Sequence, residues 1–224
     1  MDPRRIPALT NATTLVLAPV AGCVAALANP ALRPSAVEEL AGIAAHPRAF
    51  YVYGCAIFVS SVLLIPALFG IMSLLRQNHP WAYVAGGVAQ LGMLIAIGDA
   101  ATELVFWRMG STQGNSEAMA HLASQYESSS GVEIFYNVGA VAMLGVFVVS
   151  AVLWRARLVP HWACACLAAC LVLNIAGFTL ASKPVLLASY VVMLAGFSRM
   201  VPMVLRTADQ ASEDRLVGQL QQVH

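Results

Sequence analysis

Charge is what this sequence has least of. Of its 224 residues only 10% are Asp, Glu, Lys or Arg, against about 25% in an ordinary soluble domain. Hydrophobic residues make up 59% and the mean hydropathy is +0.75. A chain with so few charges cannot cover a water-facing surface, so an integral membrane protein is expected. The net charge of +1 and the lack of any basic run argue against nucleic acid as a partner. A Gly-rich phosphate loop, H-E-x-x-H and G-x-S-x-G are also missing. The five His are scattered, so haem, zinc and Ser-His-Asp chemistry have no support. Cys23, Cys55, Cys164, Cys166 and Cys170 all fall in apolar stretches. Cys166 and Cys170 share a helix face at i,i+4, but no His or carboxylate lies nearby in sequence. Buried free Cys behaves as a small hydrophobe, and no metal or other cofactor is expected.

What is present in abundance is apolar sequence, in six stretches: Thr14–Asn29, Phe50–Leu75, Trp81–Trp107, Val132–Trp154, Trp162–Ala181 and Val185–Leu205. A span needs about 20 residues. The first stretch is short and holds Pro19. Its Asn29–Pro30 end lacks the small-residue pattern of signal cleavage, so it is taken as a retained helix. The expected fold is all-α: one polytopic membrane helical bundle over residues 1–224, with about six transmembrane helices. Short connections (RQNHP, RARLVPH) force antiparallel neighbours. With the N-terminus inside, Arg4, Arg5, Arg76, Arg155, Arg157, Arg206 and Arg215 lie on the cytoplasmic side, against Arg33, Arg48, Arg108 and Lys183 outside. That bias predicts cytoplasmic termini. Arg199, within the last span, can snorkel to the cytoplasmic headgroups.

Two longer connections lie on the other side. Pro30–Arg48 contains SAVEELAGIAAH, where Ser35 precedes a Val37, Leu40, Ile43 stripe and predicts a capped helix. Arg108–Gly131 opens as GSTQGNSE and continues with Met119, Leu122 and Tyr126 at helical spacing. Both predict short extramembrane amphipathic helices, lying on the surface or acting as a lid. The C-terminal TADQASEDRLVGQLQQVH predicts a helical continuation without a function of its own.

Inside this apolar frame sit three carboxyls. Asp99 and Glu103 lie in the third stretch and Glu133 opens the fourth. An ionised carboxylate at a span centre costs roughly 2.5 to 3.5 kcal/mol on insertion scales, so these residues mark a candidate site. Asp99 and Glu103 are i,i+4, with Cβ atoms about 5 to 6 Å apart. Phe106 and Trp107 continue that face, and Glu133, Tyr136 and Asn137 form a second polar face. Carboxyls converging in a low-dielectric site cannot all ionise, so one should be retained as a buried acid. Phe50, Tyr51, Tyr53, Phe135 and Phe178 add aromatic surface at the same depth, suited to a cation. Plainer accounts exist for each. Aromatics collect at membrane interfaces whatever the function. Glu133 fits a helix N-terminus, Glu103 can pair with Arg108, and Asn174 fits an interhelical hydrogen bond. Asp99 is the deepest and the hardest to explain structurally.

The segments LVLAPVAG, AAHPRAF, LLIPALFGIMSLLR and GGVAQLG resemble a group of small actinobacterial membrane proteins. Within that group the chain resembles the bacterial integral-membrane terpene cyclases of the drimentine type, over most of its length and through apolar, weakly specific motifs. The resemblance implies cyclisation of the farnesyl chain of a prenylated indole, with membrane-embedded acids as the proton source. Asp99, Glu103 and Glu133 match those acids in type, and Tyr51, Tyr53, Phe106, Trp107, Tyr136 and Asn137 become candidate substrate contacts. No DxDD or DDxxD motif is present, which fits a metal-independent acid mechanism. The expected partners are an apolar prenylated small molecule and the lipid bilayer. A small proton-coupled transporter is the alternative, since pumps also use intramembrane carboxyls; no inverted repeat supports it. A non-enzymatic membrane subunit, its polar residues only joining helices, is the third.

Overall fold

The computed structural model describes residues 5–30, 32, 36–75, 80–112 and 116–221. These form helices α1 (Arg5–Ala28), α2 (Ala36–Ala45), α3 (Pro47–Leu75), α4 (Pro80–Ser111), α5 (Ser116–Glu127), α6 (Ser130–Ala156), α7 (His161–Thr179) and α8 (Lys183–Gln221). The fold is an all-α helical bundle. Five helices are long and apolar enough to cross a membrane: Ile6–Ala28, Pro47–Leu75, Tyr83–Ser111, His161–Thr179 and Lys183–Thr207. Only 28% to 44% of each apolar window is buried, so the helices are apolar on their outward faces as well. Leu17, Val59, Phe69, Leu94, Val172 and Val191 are exposed, as lipid-facing side chains should be. α6 is 27 residues long. Several of its side chains, those of Glu133, Phe135 and Tyr136 among them, lie outside the described residues, and its described apolar part is Leu144–Ala156.

α1 begins at Arg5, well before the expected Thr14. Pro7 lies in its first turn, where a missing N–H has no helical acceptor to lose. Pro19, Pro66 and Pro202 sit inside α1, α3 and α8. Spanning helices tolerate such prolines where neighbouring helices re-satisfy the backbone. Polar side chains tie neighbours together in the same way. Ser60 donates to the Ala18 carbonyl (2.8 Å), Gln90 to that of Ile65 (3.1 Å) and Ser150 to that of Cys164 (2.7 Å).

The six long helices close into a ring in chain order, α1–α3–α4–α6–α7–α8 and back to α1, with α3 also touching α8. The short connections force this up-and-down order. α2 joins α1 to α3 and α5 joins α4 to α6, so both lie at the same end of the ring. There they form a roof: Leu40 and Ile43 of α2 and Ala123 of α5 are buried with Phe50, Tyr53 and Phe106. Gly110 makes the approach possible, because a Cβ there would fall 2.7 Å from the Ile43 side chain and 3.3 Å from the Leu40 carbonyl oxygen.

The α2 stripe is buried through Leu40 and Ile43, while one residue at the edge of each expected face points outward. Val37 and Leu122, each part of an expected apolar face, are both 54% exposed. α5 instead turns Ala120 and Ala123 inward, since the narrow space beside α2 and α4 admits Ala where it would not admit Leu. The expected N-cap, Ser35, lies outside the described residues.

Candidate functional site

Beneath the roof the ring bounds a partly open cavity of about 370 Å³. α3 contributes one helical face to it (Tyr53, Ile57, Ser60, Ser61, Leu64, Leu68) and α4 another (Met93, Ala96, Asp99, Ala100, Glu103). α7 adds Leu167, Asn174 and Phe178, α8 adds Tyr190 and Phe197, and α6 adds Val146. Tyr53 and Leu68 are separated by about 22 Å along the α3 axis at 1.5 Å per residue. The roof end is polar, with Tyr53, Asp99, Glu103, Asn174 and Tyr190. The opposite end is apolar, with Leu64, Leu68, Met93, Val146, Leu167 and Phe197. No Lys, Arg or His is among the described lining residues.

Glu103 is the centre of the polar end. The Tyr53 hydroxyl donates to its Oε1 at 3.1 Å, while Oε2 is buried without a hydrogen-bond partner. The carboxyls of Glu39 and Asp99 act on it as neighbouring charges, and the Glu39 side chain also comes within hydrogen-bonding reach of this carboxyl. Tyr53 feels the same two carboxyls and the Tyr190 hydroxyl. Asn174 faces the Tyr190 hydroxyl and donates to Ser189 Oγ at 3.5 Å. Tyr190 itself is seated by Gly22, since any Cβ there would run into its ring.

The proposed site residues divide accordingly. Asp99, Glu103 and Tyr53 meet in the cavity, with Phe178 on its wall. Phe106 lines no part of it: its ring meets that of Tyr126 edge-on at 5.9 Å, under α5. Tyr51 and Trp107 pack against each other, ring centres 4.7 Å apart, on the side of the roof. Trp107 Nε1 is buried there without a hydrogen-bond partner. Asn137 is exposed on α6. Glu133 and Tyr136 are also on α6, with side chains outside the described residues.

Two of the polar groups gathered here, Glu39 and Tyr190, were not singled out from sequence, and a third, Asn174, was read for another role. Glu39 belongs to the roof and reaches the cavity acids. Its one signal is its place on α2, directly before the buried Leu40 and four residues before the buried Ile43. Tyr190 carries no local signal, because the space for it is made by a glycine on another helix. Asn174 was read as an interhelical hydrogen-bonding residue; the Ser189 contact fits that, and the residue also lines the cavity.

Cys166 and Cys170 gather no further ligands, and no group of three or more His, Cys, Asp or Glu arranged to hold a metal occurs among the described residues. No protein-family model, curated protein or solved structure matches the chain.

Proposed function

We propose that the protein is a membrane-embedded terpene cyclase that protonates the prenyl or farnesyl chain of a prenylated indole, or a related head group, and steers the resulting carbocation to a ring. The observation that carries this is the pair of carboxyls, Asp99 and Glu103, at the polar end of an otherwise apolar cavity among membrane helices. A carboxyl O–H adds its proton to an alkene carbon, leaving a tertiary cation. A second π bond of the chain attacks that cation and closes the C–C bond. A carboxylate then removes a proton, or the substrate's own nucleophile captures the cation. The sum is an isomerisation with no oxidant or reductant. Tyr53, by donating to Glu103 Oε1, fixes the carboxyl's orientation and leaves Oε2 for the substrate side. The faces of Tyr53, Tyr190, Phe178 and Phe197 offer quadrupoles to the cation. General acid catalysis contributes about 10² to 10⁴-fold, so cavity shape and cation stabilisation supply the remainder. The excess of Lys and Arg at the opposite end from the roof supports an orientation with both termini in the cytoplasm and the roof outside.

Purified protein incubated with a farnesylated indole in D₂O is the test. The expected product is a cyclic isomer carrying one deuterium from solvent. An unreacted pool across farnesyl, geranyl and prenyl substrates, with the protein folded, would overturn the proposal. A carrier needs its ionisable groups distributed along a path; the described cavity acids sit at one end only.

A further inference from the structure

We infer that the cavity is a binding site for a lipophilic amine, its ammonium held by Glu103 Oε2 under the roof and its hydrocarbon tail running along Leu64, Leu68 and Met93. Three features of the cavity lead there. First, Glu103 Oε2 is a buried acceptor with no partner, beside a cavity it lines. Buried acceptors are ordinarily satisfied, and an N–H donor arriving with a ligand would complete this one. Second, the groups gathered at this end are of one kind. The carboxyls of Glu39 and Asp99 flank Glu103, and the described lining has no basic side chain. A cation is drawn to the negative charge these carboxyls share, a neutral head gains only the hydrogen bond, and an anion is repelled. Third, the remaining wall is apolar over most of the cavity's length, and the rings of Tyr53 and Tyr190 stand at the polar end, where their faces favour a cation. A volume of about 370 Å³ is within the range of small-molecule sites, roughly 300 to 1,000 Å³.

This goes beyond the cyclisation proposal, because it requires binding and no turnover. Were the protein a cyclase, the ammonium would occupy the place of the transient cation and compete with substrate.

The test uses full-length protein in lipid nanodiscs, titrated calorimetrically with three probes of equal chain length: N,N-dimethyldodecylamine, dodecanol and dodecanoate. Heats from empty discs are subtracted. Saturable binding of one amine per chain is expected, at least about 10-fold tighter than dodecanol, with dodecanoate weaker still. Glu103→Gln should lose that amine preference while still binding dodecanol. Equal affinities for amine and alcohol, or an undiminished preference in a folded Glu103→Gln protein, would overturn the inference. Should Glu103→Gln not fold, the wild-type comparison of amine with alcohol decides alone. Amine binding without any isomer from a prenylated indole supports this site and removes the cyclase reading. Isomer formation with no amine preference does the reverse.

Discussion

The hydrogen bond from Tyr53 to Glu103 can be weighed without knowing the substrate. It joins α3 to α4 at 3.1 Å within the helix ring. Interhelical hydrogen bonds in membrane proteins average about 0.6 kcal/mol in double-mutant cycles and reach about 1.7. Two facts place this one in the upper part of that range. Tyr53 is 3% exposed, so its hydroxyl has little access to water if the carboxyl is removed. Glu103 Oε2 already lacks a partner, so Tyr53→Phe would leave both oxygens of the carboxyl bare. A buried acceptor stripped of its donor costs about 1 to 3 kcal/mol. Tyr53→Phe should therefore destabilise by roughly 1 to 2 kcal/mol, or about 2 to 8 °C in midpoint for a chain of this size. Glu103→Gln keeps an acceptor for the hydroxyl and should cost less. In Glu103→Leu the acceptor is already gone, so adding Tyr53→Phe to Glu103→Leu should cost far less than Tyr53→Phe alone. The assay is unfolding of the purified protein by SDS in mixed micelles, followed by far-UV circular dichroism, for the wild type, both single variants and the double. Additivity of Tyr53→Phe and Glu103→Leu within about 0.3 kcal/mol would refute the reasoning, since it would mean that the two groups do not act on each other.

The other predictions concern activity, packing and orientation. Asp99→Asn retains shape and hydrogen bonding but has no acidic proton, so isomer formation should fall at least about 10²-fold; near-wild-type turnover would remove Asp99 from the mechanism. Glu39→Gln should lower turnover and shift the pH–rate profile, while Glu38→Gln on the exposed side of α2 should do neither; identical profiles for all three proteins would detach the roof from the chemistry. Gly22→Ala forces a Cβ into the Tyr190 ring and should cost about 1 to 3 kcal/mol in SDS unfolding, whereas Gly87→Ala, with nothing within 4 Å, should be neutral or stabilising through helix propensity. A cysteine at the exposed Glu117 of the roof should react with a membrane-impermeant maleimide on intact cells and one at the exposed Gln210 should not; the opposite pattern would invert the proposed orientation.

The helices and the roof were legible because their signals are local. Apolar stretches of span length and two polar-faced segments between them already specify an all-α bundle. Asp99 and Glu103 were legible for the same reason: their i,i+4 spacing puts them on one face regardless of tertiary packing. The aromatics divide between cavity and roof for two distinct physical reasons. Tyr51 and Tyr53 are two residues apart, which on an α-helix is about 200° of rotation. Both cannot face one cavity. The α3 lining face runs through Tyr53, Ile57, Ser60 and Leu64, leaving Tyr51 to pack against Trp107; helix geometry alone could have made that choice. Phe106 does continue the face of Asp99 and Glu103. It lies one turn higher, where that face meets Leu40, Ile43 and Ala123 of the roof helices instead of open cavity. Depth, unlike rotation, depends on where another element lands.

Glu39 is the instructive case, because its sequence position argued the other way. Paired with Glu38 in the first turn of a short helix, it has a sufficient local explanation, since carboxylates there interact favourably with the helix dipole. Its second role arises only when α2 is laid across α4, and that depends on Gly110 being small enough for Ile43 and Leu40 to close over it. The same contact that buries the apolar stripe of α2 turns the adjacent residue toward Glu103 and Tyr53. Glu39 is thereby half-buried, between an exposed Glu38 and a buried Leu40. On the proposed chemistry, a half-buried carboxyl beside the cavity acids is placed to return a proton to an acid that gives one up in each turnover. Tertiary packing converts an ordinary helix-start carboxylate into a neighbour of the cavity acids.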